Sequence, residues 1–227
     1  GVVKGNGYGF GMANLAEILM QNGIKTFAVT EVYDIPLLRE TVLDNDILVM
    51  RSTCVEEEAK TIAQYDCIAT IGSLSSAEVM DKVSKELGKK TKCHLKIDTG
   101  MGRYGFLPSQ VESAIKCYDF ENLDFCGAYT HFSSAFHNVQ LTKVQLEMFK
   151  DTIKQIEKAG KSVGKLHASN SPALLNVDGV SLDAVRIGSA FTGRVITKNK
   201  NPLNRLGKLE AQVIETKTVP EGYSIGY

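Results

Sequence analysis

The stretch Val2-Val3-Lys4-Gly5-Asn6-Gly7-Tyr8-Gly9-Phe10-Gly11 is the segment from which the rest of the chain can be interpreted. Its two valines predict a buried strand, and its glycines predict a sharp turn where the backbone can approach a ligand closely. The single lysine precedes the glycines, so neither a phosphate-binding loop nor the Gly-x-Gly-x-x-Gly dinucleotide pattern fits. A lysine at the end of a buried strand can attack carbonyl groups once burial or a nearby cation lowers its pKa. A solvated lysine that caps a strand is the simpler alternative.

Short apolar runs and amphipathic helical patterns alternate along the chain beyond this segment. The predicted strands are 2–3, 26–29, 47–50, 67–71, 94–97, 125–132, 165–168 and 184–187. The predicted helices are 12–22, 35–42, 55–64, 75–87, 108–118, 139–159 and a short one around 172–176. In the 139–159 helix the apolar residues fall on one face at helical spacing: Leu141, Val144, Met148, Ile153 and Ile156. These steps predict an α/β fold, a (β/α)8 TIM-like barrel, with an open doubly wound sheet as the alternative.

The character of the sequence changes after residue 193. Residues 194–207 are polar and predict a linker, whereas 208–227 contain an alternating pattern, a Pro-Glu-Gly turn and the beginning of another strand. The predicted organisation is therefore a barrel at 1–193, a linker at 194–207 and the truncated start of a C-terminal β-rich domain at 208–227. Because the chain begins and stops within predicted strands, we expect it to be part of a longer polypeptide.

Composition narrows the class of partner and the compartment. The charge is balanced, with 26 basic and 26 acidic residues and no basic block, which argues against nucleic acid or an anionic membrane as a partner. No apolar run approaches the ~20 residues of a membrane span, and no signal-peptide pattern occurs. The five cysteines are scattered and none has zinc-ligand spacing, so we expect buried thiols, no metal site and a reducing, cytoplasmic location.

Polar residues follow most of the predicted strands at the carboxyl end, where barrel enzymes place their active sites. They are Lys4, Glu31, Arg51, Lys96 with Asp98, His131, Asn170 with Ser171, and Arg186 with Gly188. Amine, guanidinium, imidazole, hydroxyl and glycine groups together suit a phosphorylated, planar, carbonyl-bearing cofactor. Taken singly, His131 could be a core histidine and Arg186 a surface ion-pair partner. His94 and His137 are interpreted as structural.

Six segments resemble alanine racemases and follow that family's order. They are residues 2–9, Lys96-Ile97-Asp98-Thr99-Gly100-Met101-Gly102-Arg103, Thr130-His131-Phe132, His167-Ala168-Ser169-Asn170-Ser171, Val185-Arg186-Ile187-Gly188, and 219–227. The resemblance covers nearly the whole chain. It implies a fold-type III barrel that binds pyridoxal 5′-phosphate, a following β-domain, and a homodimer with its sites at the subunit interface.

The resemblance also implies a role for individual residues. Lys4 would hold the cofactor covalently and act as one catalytic base, and Tyr227 would be the second base, reaching into the partner's site. The implied cofactor-binding residues are Lys4, Tyr8, His131, Asn170, Ser171, Arg186, Gly188 and Ser189. Arg103 would bind the substrate carboxylate. Lys96, at a position often found carbamylated, would orient Arg103, and His167 would support Arg186.

The activity that this resemblance implies is racemisation of a small amino acid, L-alanine to D-alanine, for cell-wall building. Some positions depart from the family's pattern, among them Gly5, Phe10, Phe136 and Thr192, which leaves serine or a broader set of amino acids open as substrates. A non-catalytic pyridoxal-phosphate carrier is the alternative from another class. A barrel decarboxylase for basic amino acids fits less well, because Arg186 stands where that group would use an acid.

Overall fold

A parallel sheet lies at the centre of the computed structural model, which describes residues 1–198, 201–208 and 210–225. Within these residues the sheet has six strands, and their spatial order follows their order in the chain. The strands are β1 (Thr26–Val29), β2 (Asp46–Ser52), β3 (Ile68–Ile71), β4 (Thr91–Lys96), β5 (Leu123–Tyr129) and β6 (Lys165–His167). Each strand pairs in parallel with the next, as a βα repeat requires.

The two remaining predicted strands, 2–3 and 184–187, are reduced to single bridges. Val2 pairs in parallel with Ala28 of β1, and Ala184 pairs in parallel with His167 of β6. The backbone N–H of Val2 then donates to the carbonyl of Ile187 at 2.7 Å, so the first run contacts the last. This contact makes the fold an α/β barrel and rules out the open doubly wound alternative. The first run is short because the chain turns away at Lys4.

Helices connect the strands and, apart from the short α1 at the barrel mouth, pack around the sheet. They are α1 (Lys4–Tyr8), α2 (Met12–Gln21), α3 (Asp34–Thr41), α4 (Glu56–Gln64), α5 (Leu74–Glu86), α6 (Val111–Lys116), α7 (Val139–Lys158) and α8 (Ser171–Asn176). The predicted helices are confirmed to within about two residues, except that 108–118 divides into a 3₁₀ turn, α6 and a second 3₁₀ turn. Among the described residues, no helix combines the length and the apolar character needed to cross a membrane.

The predicted apolar face of α7 is wrong in its first half. Leu141, Val144 and Met148 are 39%, 46% and 40% exposed, whereas the neighbouring Gln145 is buried. The amide of Gln145 donates to the carbonyl of Thr99 and to the hydroxyl of Ser133, both at 3.1 Å. The buried face therefore lies to one side of the predicted one and includes a hydrogen-bonded glutamine. The second half buries Ile153 and Ile156 as predicted.

The interior of the barrel is divided into two regions. We call Val2, Ala28, Leu48 and Ile68, which form one buried apolar cluster, the apolar half. We call His94, Lys96, Tyr129, His167 and Arg186, which are buried and joined by hydrogen bonds and ring contacts, the polar half. The apolar half comes from the chain start and β1–β3, and the polar half comes from β4–β6 and the segment before Gly188. A separate, larger apolar core lies between the sheet and the outer helices.

The five cysteines are free: Cys67, Cys93 and Cys117 are buried, Cys126 is partly buried and Cys54 is exposed. The prediction of buried thiols is therefore correct for the strand-like runs and wrong for Cys54, which lies in the loop after β2.

The predicted strand that starts at 209 is not formed in its described part. Residues 210–225 contain no strand, and Val213 and Ile214 are 75% and 95% exposed. A strand with one apolar face requires a neighbouring strand and a covered face, and the described residues provide neither here. The division into a barrel, a linker and a second domain stays a prediction.

Candidate active site

The segment after Val3 forms a left-handed helical turn, α1, at the carboxyl end of the barrel. Gly5, Asn6 and Gly7 have φ values of 59°, 50° and 63°, and Tyr8 follows at 56°. Left-handed backbone costs an ordinary L-residue about 1–2 kcal/mol, which glycine avoids and asparagine tolerates. The side chain of Asn6 also accepts a hydrogen bond from the N–H of Met12 at 2.9 Å, which ties the turn to α2. The glycines predicted a close turn, and this turn places Lys4 and Tyr8 in the barrel mouth.

The hydroxyl of Tyr8 lies directly against Gly188. A Cβ atom added at position 188 would fall 2.0 Å from the Tyr8 hydroxyl oxygen, so a larger residue there would displace the Tyr8 ring. The hydroxyl oxygen of Ser171 accepts hydrogen bonds from the N–H groups of Gly188 and Ala190, at 3.1 and 3.3 Å. Burial raises the pKa of Tyr8, which keeps its hydroxyl a neutral donor. We call Tyr8, Ser171, Gly188 and the adjoining Ser189 the hydroxyl cradle.

Arg186 is buried at the centre of the barrel, and its guanidinium is held by neutral acceptors. One terminal nitrogen donates to Nδ1 and the carbonyl of His167, at 2.7 and 3.2 Å. The other donates to the carbonyls of Thr130 and Ala168, at 2.7 and 3.0 Å. Burial lowers the pKa of Arg186 to about 10, so the group stays charged at neutral pH. Its Nε–H is buried and has no hydrogen-bond partner among the described residues.

His167 connects Arg186 to a second histidine. Its Nε2 lies 2.8 Å from Nδ1 of His94, and its ring stacks on Tyr129 with an interplanar angle of 6°. The interpretation of His94 as merely structural is therefore incomplete, because the register of β4 and β6 brings it into the network around Arg186. The signal in the sequence was its position two residues before Lys96, which places both side chains on the same face of a strand.

Tyr129 separates two cations in this network. Nζ of Lys96 lies 5.4 Å from the centre of its ring, and the guanidinium carbon of Arg186 lies 5.0 Å from it. Its hydroxyl donates to the carbonyl of Met50 at 3.1 Å and lies 2.9 Å from the hydroxyl of Thr70. The ring face attracts both cations. Sequence reasoning missed Tyr129, although it lies two residues before His131 in the run predicted as one strand, 125–132, where alternate side chains point to the same side.

Lys96 is buried in the barrel, with its ammonium donating to the carbonyl of Ile97 at 2.8 Å. Burial lowers its pKa to about 7, and Arg186 and Arg103 add to that effect while Asp98 opposes it. A neutral amine is therefore well populated at physiological pH.

The loop after β4 is wrapped around one carboxylate. Oδ1 of Asp98 accepts hydrogen bonds from the N–H groups of Gly100 and Met101, at 2.9 and 2.7 Å. Oδ2 accepts from those of Gly102 and Arg103, at 2.8 and 3.2 Å. Burial alone would raise the pKa of Asp98, but these backbone N–H groups hold it below its ordinary value. An apparently ordinary turn is thus the device that fixes the backbone of Arg103.

A single cleft brings the basic side chains and two rings together. Lys4, Lys96, Arg103, Tyr129 and His131 all line it. Burial lowers the pKa of Lys4, with a further contribution from Arg103, while Glu31 opposes the shift. An amine of this kind is neutral, and so nucleophilic and basic, over a wider pH range than a solvated lysine.

His131 lies at the junction of these groups. Its Nδ1 is 3.3 Å from Arg186, and its Nε2 is 3.3 Å from the amide nitrogen of Asn170. Burial lowers the pKa of His131 to about 3, and Arg186, Arg103, Lys96 and Lys4 each lower it further. The imidazole is therefore neutral wherever the protein is folded at moderate pH. Asn170 also caps α8 by accepting from the N–H of Ala173 at 3.0 Å, which fixes its orientation.

Comparison with known proteins agrees with this geometry. The family described as "Alanine racemase, N-terminal domain" matches residues 1–195. The alanine racemases of Methanococcus maripaludis and Carboxydothermus hydrogenoformans are 34% and 32% identical to it, over the whole of this chain and 62% of each relative. The chain belongs to the alanine racemase family.

Solved alanine racemases share the fold. The enzyme from Clostridium difficile 630, in complex with cycloserine, superposes with a TM-score of 0.81 at 29% identity, over 85% of this chain and 54% of that one. The enzyme from Bartonella henselae, with covalently bound pyridoxal phosphate, gives 0.75 at 25% identity, over 85% and 55%. The chain thus spans about 62% of the length of the curated alanine racemases that it matches.

The residues predicted from the strand ends and from the alanine racemase pattern divide into three groups. Most of them meet at the barrel mouth: Lys4, Tyr8, Lys96, Arg103, His131, His167, Asn170, Ser171, Arg186, Gly188 and Ser189. Two strand-end residues lie beside the site instead, because Arg51 pairs with Glu58 at 2.5 Å and Glu31 lines an outer cleft next to Lys4. Tyr227 lies outside the described residues.

Proposed function

We propose that the protein is a pyridoxal 5′-phosphate-dependent amino-acid racemase that interconverts L- and D-alanine, with this chain as its cofactor-binding barrel. The observation that carries the proposal is the Nε–H of Arg186, a buried donor without a partner among the described residues, in a barrel whose mouth holds Lys4, a lysine of lowered pKa. A buried donor that lacks an acceptor costs about 1–3 kcal/mol, so an acceptor supplied by a ligand would relieve it. The pyridine nitrogen of pyridoxal phosphate is such an acceptor.

The donor set fits the other parts of the cofactor. The hydroxyls of the cradle, from Tyr8 and Ser171, with the backbone at Gly188 and Ser189, suit a phosphate group. Lys4 suits covalent attachment through the aldehyde carbon. His131 and Asn170 would contact the ring. When bound, pyridoxal phosphate supplies an electron sink that stabilises the negative charge left on the substrate Cα after proton removal.

The chain's own residues would then move and confine the proton. Racemisation requires a base on each side of the Cα, so one group removes the proton and the other returns it on the opposite face. Lys4, with its lowered pKa, would be the base on one side. Tyr227 of the partner subunit in a homodimer would be the base on the other. Arg103 would bind the substrate carboxylate, held in place by the loop that wraps Asp98.

Arg186 would restrict the reaction because it cannot protonate the ring nitrogen of the cofactor. A guanidinium donates hydrogen bonds but does not give up its proton at neutral pH, so it leaves the ring nitrogen unprotonated. An unprotonated ring accepts less negative charge, which restricts side reactions such as transamination. His167 and the neutral His131 would support this arrangement without adding charge.

Lys96 would contribute through a change of charge. Its pKa of about 7 leaves a large fraction of neutral amine, which is the form that adds carbon dioxide and releases a proton to solvent. The resulting carbamate would pair with Arg103 and orient it.

The free thiols and balanced charge agree with a cytoplasmic enzyme that binds neither nucleic acid nor membrane.

The test is a chiral assay of the full-length protein with pyridoxal phosphate against a panel of L-amino acids that includes alanine and serine. We expect D-alanine to form and the substrate Cα hydrogen to exchange with deuterium from solvent. Lys4→Ala should abolish both, together with the covalent adduct seen by mass spectrometry after borohydride reduction. Lys25→Ala, at an exposed lysine, is the control and should behave as the parent.

Any other outcome of this assay would change the proposal. Cofactor binding without Cα exchange would indicate a non-catalytic carrier, and faster turnover of serine would change the substrate. An adduct that persists in Lys4→Ala would refute the role of this lysine.

A further inference from the structure

Arg186, His167 and His94 are buried and lie in a line of hydrogen bonds. This line determines which ring nitrogen of each histidine carries the hydrogen. Because a guanidinium can only donate, Nδ1 of His167, 2.7 Å from Arg186, must be an acceptor without a hydrogen. Neutral His167 then carries its hydrogen on Nε2, 2.8 Å from Nδ1 of His94. Nδ1 of His94 must accept in turn, so His94 carries its own hydrogen on Nε2. The charge of Arg186 thus determines both tautomers.

The ring of His94 lies in a space that is open only because the residue opposite it is a glycine. Gly127 of β5 is its partner in register, and a Cβ atom there would fall 2.4 Å from Nε2 of the His94 ring. His94 is 7% exposed. On its other side the His167 ring lies at 4.9 Å between centroids, tilted by 54°. The ring therefore has little freedom to move away from His167.

The surrounding charges keep the two histidines neutral. Burial lowers the pKa of His94 to about 4, with Arg186 and Lys165 acting in the same direction and Asp46 opposing them. Burial lowers the pKa of His167 as well, and Arg186, His94 and Lys96 add to that shift. A protonated His94 would present a donor to the donor of His167, so neutrality is a condition of the hydrogen-bonded line.

We infer that His94 is a positioning residue for Arg186, acting through His167 from the far side of the barrel interior. Its Nδ1 gives the His167 Nε2–H an acceptor, and this leaves His167 Nδ1 free to receive the guanidinium. The consequence for catalysis rests on the proposed function, in which Arg186 faces the cofactor's ring nitrogen. Without an acceptor at position 94, the Nε2–H of His167 would be a buried donor without a partner, and the ring would gain by turning toward another acceptor, which moves Nδ1 away from the guanidinium.

The deciding measurement is ¹⁵N NMR of the imidazoles in the full-length apoprotein, with and without substitutions at 94. In the parent we expect His167 to be unprotonated at Nδ1 and protonated at Nε2. His94→Leu should change the ¹⁵N shift of the His167 Nε2–H, which loses its acceptor, and that of Nδ1, whose hydrogen bond from Arg186 weakens. His94→Asn, whose amide oxygen can take the place of Nδ1, should retain the parent shifts. His137→Leu, at an exposed histidine, and Leu48→Ala, in the apolar half, should leave His167 unchanged.

A second measurement follows the effect to Arg186. His94→Leu should weaken binding of pyridoxal phosphate about tenfold, the size expected for one misplaced buried hydrogen bond, and raise the ratio of transamination to racemisation. His94→Asn should stay within about threefold of the parent. If His94→Leu does not fold, Gly127→Ala displaces the same ring without removing it and should move the ¹⁵N shifts of His167 in the same direction.

A parent His167 protonated at Nδ1, or a His94→Leu variant with the parent ¹⁵N shift at Nδ1 and the parent affinity, would overturn the inference. A parent that carries the expected tautomers but binds no pyridoxal phosphate would contradict the proposed function instead. The NMR result on the apoprotein would still support the positioning of Arg186.

Discussion

The two halves of the barrel interior share one strand geometry but are held together by different forces. Side chains of the apolar half are interchangeable in principle, since burial rewards any branched residue of suitable volume. Those of the polar half are not, because each buried donor requires an acceptor in one direction. His94, His167 and Arg186 satisfy this condition only in one set of tautomers. The apolar half therefore contributes stability, and the polar half contributes a fixed arrangement of charge.

The largest expected effect on stability comes from the apolar half. Leu48→Ala removes a 3%-exposed side chain and should lower the free energy of unfolding by about 2–5 kcal/mol, from lost burial and the cavity left behind. Denaturant unfolding of the full-length apoprotein measures it. Leu141→Ala, at a 39%-exposed leucine of α7, is the control and should cost far less.

The comparison also predicts what Leu48→Ala leaves unchanged. Its affinity for pyridoxal phosphate should stay within a few-fold of the parent, since no residue of the cleft is altered. A variant that keeps its stability but loses the cofactor would show that the two halves are not separable in this way.

The apolar half could be predicted from the sequence because it depends on a repeating pattern. The valines at 2 and 3 and the runs that contain Ala28, Leu48 and Ile68 are short, apolar and spaced by helices, and the structure confirms each run. The bounds of β1, β2 and β3 were correct to within about two residues for the same reason, whereas β4 begins at Thr91 and not at 94, and β5 ends at Tyr129 and not at 132. What failed was the alternating pattern after 208, because a strand forms only where a neighbour pairs with it.

The polar half could be predicted only in part, because it depends on register between strands. Lys96, His131 and Arg186 were identifiable at strand ends, but the pairing of His94 with Gly127 follows from a bulge between Cys93 and His94 that no local pattern shows. The rotation of α7 was missed for a similar reason, since Gln145 bonds to a carbonyl 46 residues away in the chain. Contacts between polar groups that are distant in sequence carry no periodic signal.

A smaller effect should follow from the carboxylate that organises the loop after β4. Asp98→Asn removes the charge and turns an N–H₂ toward backbone donors, so it should cost about 1–3 kcal/mol of unfolding free energy. Amide hydrogen exchange should accelerate at Gly102 and Arg103, whose N–H groups bond to Oδ2. Asp178→Asn, at an exposed aspartate, is the control.

The stability that Asp98 contributes should depend on pH in one direction. The pKa of Asp98 is lower in the folded state than in the unfolded chain, because the backbone amides outweigh burial. Its stabilisation is therefore present above about pH 4, the unfolded value, and is lost as the pH falls through the folded pKa. The Asn variant should lack this part of the acid transition. Equal acid transitions in the parent and the variant would contradict the role of the carboxylate.

The smallest effect is the pH dependence of the free energy of unfolding that comes from Lys96. Its direction is opposite to that of a lysine in an ordinary ion pair. The pKa of Lys96 is about 7 in the folded protein, whereas an unfolded lysine titrates near 10.4. Between these values the unfolded chain binds more protons, so the free energy of unfolding should rise with pH, by at most about 1.4 kcal/mol per unit. Unfolding of the parent and Lys96→Met from pH 7 to 9, in buffers free of carbon dioxide, isolates this slope as their difference.

Lys92→Met is the matched control on the same strand. Lys92 is bonded to Asp46 at 3.3 Å, which raises its pKa, so its contribution does not change between pH 7 and 9. The same slope in the parent and in Lys96→Met would refute a neutral Lys96. If the slope is present, the neutral fraction that produces it is also the fraction able to add carbon dioxide. A ¹³C carbamate signal in labelled bicarbonate should then grow over the same pH range and be absent from Lys96→Met, because both observations report one deprotonation inside the barrel.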